Sequence, residues 1–324
     1  ASNENPYEPI PQVVEAMQEA AKGVNRYADH RATGLREAIG DWIGVDERQV
    51  SVGCGSVGLL QQLFLTYVDA GDEVVSPWRS FEAYPIFAQL MGATFVEVPL
   101  VDHRFDLEAA AAAVIPATKL VLLATPNNPT GTAVSTAEIH EFVSGLPSDV
   151  IVVVDEAYRE FLDPGFGDPV RDLVPQFANL VVTRTLSKAY GLAGVRTGYL
   201  VAHPDVVTEV DKTLVPFAVN AVAQAGALAA VRNASAYKPA IDRLLAERNR
   251  VVSALTDAGW KLPDSQANFV YLDLGERTLE VCVELERRGV VTRPFAGEGL
   301  RVTIGTPEEN AKFLGAMAEM GGDA

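Results

Sequence analysis

Two apolar runs constrain this chain more than any other feature. Leucines, valines and alanine fill Lys119–Ala124 after its leading lysine, and Val150–Val154 is just as apolar. A strand with one wet face alternates polar and apolar residues. A run with no alternation needs cover on both faces, as in the middle of a mostly parallel sheet between helix layers. Each run ends abruptly in polar residues: Thr125-Pro126-Asn127-Asn128-Pro129-Thr130-Gly131 and Asp155-Glu156-Ala157-Tyr158. In open α/β sheets, ligands bind just beyond the carboxyl ends of strands.

The rest of the pattern agrees with an α/β reading. Helical spacing is expected over Ile10–Lys22, Leu35–Ile43, Leu59–Tyr67, Phe81–Met91 and Leu107–Val114, the last with Asp106 as N-cap. Further strands are expected at Val50–Val52, Glu73–Ser76, Thr94–Val98, Leu180–Thr183 and Tyr199–Val201. From Ala218 the texture changes. Helical patterns run to Val231 and from Pro239 to Ala258. Short strands are expected at Phe269–Leu272, Val290–Thr292 and Leu300–Ile304, with helices Leu279–Arg287 and Glu308–Met320. This predicts a smaller α+β domain toward the C-terminus.

Composition removes several function classes. The 324 residues are 48% hydrophobic with a formal net charge of −17, which supplies a large core and argues against a nucleic-acid partner. The most apolar stretch, Leu214–Val231, is interrupted by Pro216, Asn220 and Gln224, so no membrane span is expected. Ala1 opens no secretory pattern, and two cysteines, Cys54 and Cys282, form no disulfide framework; a cytoplasmic protein is expected. The histidines His30, His103, His140 and His203 lack ligand spacing, so no metal site is expected.

Gly53-Cys54-Gly55-Ser56-Val57-Gly58 fits G-x-G-x-x-G between a strand and a helix. Alone it is compatible with a dinucleotide fingerprint, a methyltransferase loop or a simple tight turn. Their shared physics is an anion at a helix N-terminus. Four later segments add chemistry. Asn128 follows one apolar run. Asp155 follows the other, where a carboxylate is costly unless it meets a partner such as a protonated pyridine nitrogen. Thr185-Leu186-Ser187-Lys188-Ala189-Tyr190-Gly191-Leu192-Ala193-Gly194-Val195-Arg196 holds a lysine in mostly apolar company, where its pKa falls and it becomes a nucleophile. In Gly299-Leu300-Arg301-Val302-Thr303-Ile304-Gly305 a guanidinium interrupts a strand, suited to clamp a carboxylate. A turn, a helix cap or a structural ion pair would explain Asn128, Asp155 or Arg301 taken singly.

Taken in order, these segments resemble fold-type I pyridoxal-phosphate aminotransferases of the class I/II group, from Asn3 to about Met320. The resemblance implies a large domain with a mostly parallel sheet over 28–230, and a small domain of 1–27 and 231–324 with an N-terminal arm. It implies pyridoxal 5′-phosphate as cofactor, bound as a Schiff base to Lys188. Asp155 would pair with the ring nitrogen, and Tyr158 and Asn128 with the ring oxygen. Phe81 would stack on the ring, although a core phenylalanine on a helix is a serious rival reading. Gly55, Ser56, Val57, Thr185, Ser187 and Arg196 would hold the phosphate. Tyr27 would reach the phosphate of a neighbouring subunit, which implies a homodimer with shared sites. Asn5, Tyr7, Arg293 and Arg301 would bind substrate.

Ser2-Asn3-Glu4-Asn5-Pro6-Tyr7, Asn25-Arg26-Tyr27 and Arg293-Pro294 are similar to the histidinol-phosphate aminotransferase branch. That branch usually carries an acidic pair after the glycine loop, where this chain has Val57-Gly58. Val52–Gln62 and Trp78-Arg79-Ser80-Phe81-Glu82-Ala83-Tyr84 look more like actinobacterial aromatic-amino-acid aminotransferases. The expected reaction is therefore transamination of an aromatic amino donor with a 2-oxo acid acceptor, 2-oxoglutarate. Histidinol phosphate is the alternative donor, and a pyridoxal-phosphate lyase or decarboxylase the alternative reaction. Tyr7, Phe217 and Asn268 are expected to shape the pocket.

Overall fold

The computed structural model describes residues 2–320. Ten strands are present among them: β1 (Val50–Cys54), β2 (Glu73–Trp78), β3 (Thr94–Pro99), β4 (Thr118–Ala124), β5 (Ile151–Asp155), β6 (Leu180–Thr185), β7 (Thr197–Val201), β8 (Phe269–Asp273), β9 (Arg293–Phe295) and β10 (Gly299–Thr303). Seven of them form one sheet in the order β1-β7-β6-β5-β4-β2-β3. Only β7 runs against its neighbours. The apolar runs of the sequence are its central strands. Leu120, Leu122 and Val153 face one apolar layer, and Val121, Leu123, Val152 and Val154 face the other, all with no exposed surface. Each such side chain contributes roughly 1.5–3 kcal/mol of burial.

Register places the chemistry. Ala124 pairs with Asp155, and Asp155 with Thr183, so the carboxyl ends of β4, β5 and β6 lie level. Because β7 is reversed, its first residues meet the last residues of its neighbours: Cys54 pairs with Thr197, and Gly198 with both Gly53 and Thr185. The helix Gly55–Tyr67 starts directly at the end of β1.

The three remaining strands form an antiparallel sheet in the order β8-β10-β9, accompanied by helices Lys238–Asp257, Thr278–Arg287 and Pro307–Met320. Arg301 stands opposite Tyr271 on one side and Arg293 on the other. The helix Pro11–Ala21 packs on the helix Ala221–Arg232.

Three local expectations shift. The strand expected at Val290–Thr292 is instead Arg293–Phe295, while Val291 is exposed. The valines suggested the strand, but pairing is fixed by a turn at Gly297, φ +75°, where the Glu298 N–H donates to the Phe295 carbonyl at 2.9 Å. The helix expected from Leu59 begins four residues earlier, so Gly55–Gly58 are its first turn rather than a preceding loop. Helices Thr136–Ser144 and Pro204–Lys212 were not expected; the first is started by a capping box of Ser135 and Glu138. No helix among the described residues is long and apolar enough to cross a membrane.

Candidate active site

A cavity of about 490 Å³ opens over the ends of β4, β5 and β6, whose last residues Ala124, Asp155 and Thr185 line it. That size is in the range of small-molecule sites.

Asp155 sits at its base, buried. Tyr84 donates to Oδ2 at 2.9 Å and Thr183 to Oδ1 at 3.1 Å. Burial pushes the carboxyl up to about 6, against the pull of these two hydroxyls. The ordinary cost of a buried carboxylate is thus only partly offset by neutral donors, and a cation placed beside it would offset the rest.

Lys188 follows β6 in the loop that returns to β7, and lines the same cavity. Its Nζ donates to the Ser2 carbonyl at 2.7 Å and stands 5.9 Å from the centre of the Tyr158 ring. Burial, helped by the nearby Arg301 guanidinium, brings the amine down to about 8. Arg301 is itself buried, with Nη1 in contact with Asn128 Oδ1.

An anion cradle closes another wall. Ser56 and Val57 belong to the first helical turn, whose backbone N–H groups have no partner within the helix. Thr185 Oγ1 donates to Ser187 Oγ at 2.9 Å and accepts from the Ser187 N–H at 3.1 Å. Arg196, at φ +60°, donates through Nη1 to the Ala193 carbonyl at 2.9 Å. Two glycines permit this closeness. A Cβ on Gly55 would lie 2.5 Å from Arg196 Nη2, and one on Gly198 would lie 2.4 Å from the Ser56 nitrogen. Helix-end N–H groups, two hydroxyls and a guanidinium suit a phosphate.

Of the residues expected from the sequence, Ser56, Val57, Phe81, Asn128, Asp155, Tyr158, Thr185, Ser187, Lys188, Arg196, Arg293 and Arg301 all line this one cavity. Arg293 stands at it with Glu82, their charges 2.8 Å apart. Asn5, Tyr7, Tyr27 and Gly55 do not line the cavity, and neither do Phe217 and Asn268, which were expected to shape the pocket. Asn5 donates to the Ala189 carbonyl at 2.9 Å, and Tyr7 packs under the Arg243 guanidinium at 4.5 Å. Tyr27 is 84% exposed and stacks on Phe217 at 4.5 Å. Among the described residues, no cluster of His, Cys, Asp or Glu could hold a metal ion.

Sequence reasoning gave no role to Tyr84, Thr183, Asn3 or the Glu156–Arg184 pair. Tyr84 follows Phe81 by three residues, so a buried helix face shared with Phe81 was available as a signal. Glu156 and Arg184 are both buried, with Arg184 Nε donating to Glu156 at 2.8 Å and Nη2 to Asp168 at 2.6 Å. Thr183 and Arg184 meet their partners across strands, and spacing along the chain does not reveal that.

The family described as aminotransferase class I and II matches residues 1–317. The aromatic amino acid aminotransferase of Thermobifida fusca is 49% identical over 315 residues, covering 97% of this chain and 88% of that protein. The aromatic amino acid aminotransferase of Streptomyces avermitilis is 48% identical over 316 residues, with the same coverage of each. Among solved structures, histidinol-phosphate aminotransferase from Sinorhizobium meliloti in complex with pyridoxal-5′-phosphate is similar with a TM-score of 0.91 at 29% identity, covering 98% of this chain and 89% of that one. The sheet order and the small antiparallel sheet are those of fold-type I, and by sequence over nearly its whole length the chain belongs to the class I and II aminotransferases.

Proposed function

We propose that this aminotransferase binds pyridoxal 5′-phosphate through Lys188 and moves the amino group of aromatic L-amino acids to 2-oxoglutarate. The observation that carries the reading is the meeting, in one cavity, of a buried carboxylate, a lysine of lowered pKa and an anion cradle. These residues fit that cofactor. Asp155 has only neutral donors and would be relieved by a protonated ring nitrogen. The turn at Ser56 with Thr185, Ser187 and Arg196 matches a phosphate. Lys188 would hold the aldehyde carbon covalently.

When bound, the cofactor supplies an electron sink for charge that develops on the substrate. Asp155 would keep the ring nitrogen protonated. Tyr158 and Asn128 would face the ring oxygen, and Phe81 would cover a ring face. Arg301 would take the substrate carboxylate in bidentate fashion. Once free, the Lys188 amine would carry the proton to and from the substrate α-carbon. An amine near 8 has enough neutral form at neutral pH to act as base and enough driving force to act as acid. Arg293, which lines the cavity, would serve the substrate's far end, and Asn5 and Tyr7 would join it only if the N-terminal residues move toward the cavity.

The aromatic donor is supported by the names of relatives near half identical. Histidinol phosphate is the second reading, favoured by the likeness to the Sinorhizobium meliloti enzyme. Mixing cofactor-loaded protein separately with L-phenylalanine and L-histidinol phosphate, and following the absorbance of the Lys188-bound cofactor, tests both. Loss of the band with phenylalanine alone, and its return with 2-oxoglutarate, is the expected result. Response to histidinol phosphate alone would replace the donor. Carbon dioxide release without a keto product would replace transamination with decarboxylation.

The exposed Tyr27–Phe217 stack supports a homodimer in which Tyr27 completes the partner's phosphate site. Mixing inactive Lys188→Ala with Tyr27→Phe chains should alter activity only if sites are shared. The two-domain division, 28–230 against 1–27 with 231–324, and a cytoplasmic location belong to the same reading.

A further inference from the structure

Asn3 is a surface-type residue in an unusual place. It is 1% exposed and sits at φ +55°, a conformation non-glycine residues rarely adopt. Its bonds run in three directions. Nδ2 donates to the Tyr158 hydroxyl oxygen at 2.9 Å, Oδ1 accepts from Thr303 Oγ1 at 2.8 Å, and its carbonyl accepts from Asn268 Nδ2 at 3.1 Å. The last two partners belong to the small sheet: Thr303 closes β10, and Asn268 immediately precedes β8.

We propose that Asn3 is a positioning residue for the reaction: its amide, clamped by the small sheet, aims the Tyr158 hydroxyl proton into the cavity. A phenol has one proton and two lone pairs. The Asn3 amide occupies one lone pair, so the proton cannot be spent on Asn3 and turns toward the cavity that Tyr158 lines. Under the function proposed above, on which this inference rests, that proton meets the ring oxygen of the cofactor.

The clamp also ties Tyr158 to substrate binding. Thr303 lies two residues after Arg301 on β10, so both project from the same strand face. The arginine proposed to take the carboxylate and the hydroxyl that anchors Asn3 therefore share one face of one strand. A merely structural strap would need the bonds to Thr303 and Asn268 but not an amide nitrogen aimed at a phenol.

The test is a pH titration of the Lys188-bound cofactor absorbance in whole, cofactor-loaded protein without substrate. A donor to the ring oxygen favours the deprotonated chromophore, where that oxygen no longer shares a proton, and so holds the midpoint down. Asn3→Gly accepts the same φ and removes the amide. Its midpoint should rise by about half to one pH unit, the shift worth one net hydrogen bond. Asn3→Asp keeps the shape but can only accept, so it draws the Tyr158 proton to itself; its midpoint should rise at least as far. In a Tyr158→Phe background, Asn3→Gly should add no further shift. In the steady state, kcat should fall roughly three- to tenfold with the KM for the donor nearly unchanged. Unshifted midpoints in both Asn3 variants, with Tyr158→Phe shifted, would overturn the proposal and leave the proposed function standing. Protein that forms no absorbance band with pyridoxal phosphate overturns both. If the glycine variant does not fold, the aspartate variant decides alone.

Discussion

The Tyr84 hydroxyl donates to Asp155 Oδ2 across 2.9 Å, so the carboxylate at the base of the cavity is fixed from a helix that precedes it by seventy-one positions. Thr183 fixes the other oxygen. Two neutral donors hold the orientation of the charge without cancelling it, which leaves it available to a cation in the cavity.

Tyr84→Phe should therefore lower kcat/KM by about tenfold, the worth of one net hydrogen bond at a buried charged group. Steady-state kinetics with the amino donor would read it. Thr183→Val should act in the same direction. An unchanged kcat/KM in both would mean that Asp155 needs neither to stay in place.

Asp155 also links pH to stability. Its folded value, about 6, lies above its ordinary 3.8, so the folded protein binds the proton more tightly than the unfolded chain does. The sign follows: between about 4 and 6, cofactor-free protein loses stability as pH rises, by at most about 3 kcal/mol from this group. Asp155→Asn should raise the thermal midpoint of cofactor-free protein above pH 6, with the gain vanishing toward pH 4. The same variant should lose two to three orders of magnitude in kcat, roughly the loss found when a preorganised electrostatic partner is removed. A melting series across pH, with and without pyridoxal phosphate, checks both parts.

Lys188 has the opposite linkage. Its folded value, about 8, lies below the ordinary 10.5, so it costs stability below pH 8, and that cost is relieved as pH rises from 8 toward 10.5. Its neutral fraction near pH 8 should make it the fastest-acylated lysine in cofactor-free protein. Brief treatment with an amine-reactive ester, followed by peptide mass spectrometry, reads this directly. Labelling of Lys188 no faster than of the exposed Lys238 would contradict it.

The Glu156–Arg184 pair predicts a large loss of stability with one partner gone. Arg184→Met would leave buried Glu156 with only the looser Arg159 pair at 3.6 Å, at a cost of about 3 kcal/mol in chemical denaturation. Arg184→Met with Glu156→Gln should recover much of that, because the buried, poorly compensated charge is what costs.

The parts of this site that could be read in the sequence are those in which residue type and local pattern coincide. Asp155 was legible because it ends an apolar run, Lys188 because it stands in apolar company between strands, and Arg301 because it breaks a strand pattern. The central strands followed from the same runs. What escaped was set by pairing across the fold. Tyr84 and Thr183 matter only because they converge on Asp155, and Asn3 only because Tyr158, Asn268 and Thr303 surround it. The third strand of the small sheet was misplaced for a related reason: Val290 and Val291 have the composition of a strand, but the turn at Gly297 gives the pairing to Arg293–Phe295. Helix Pro204–Lys212 escaped too, although Pro204 at its first turn is an ordinary start signal.

The reach of Asn3 has a consequence for the order in which the molecule assembles. Its three partners lie 155, 265 and 300 residues along the chain. Contacts so distant in sequence carry a loop-closure cost, which falls once other structure has brought their ends together. Asn3 lacks its Asn268 and Thr303 partners until β8 and β10 have met. A cavity in which Asn3 holds the Tyr158 hydroxyl therefore requires both sheets to be in place.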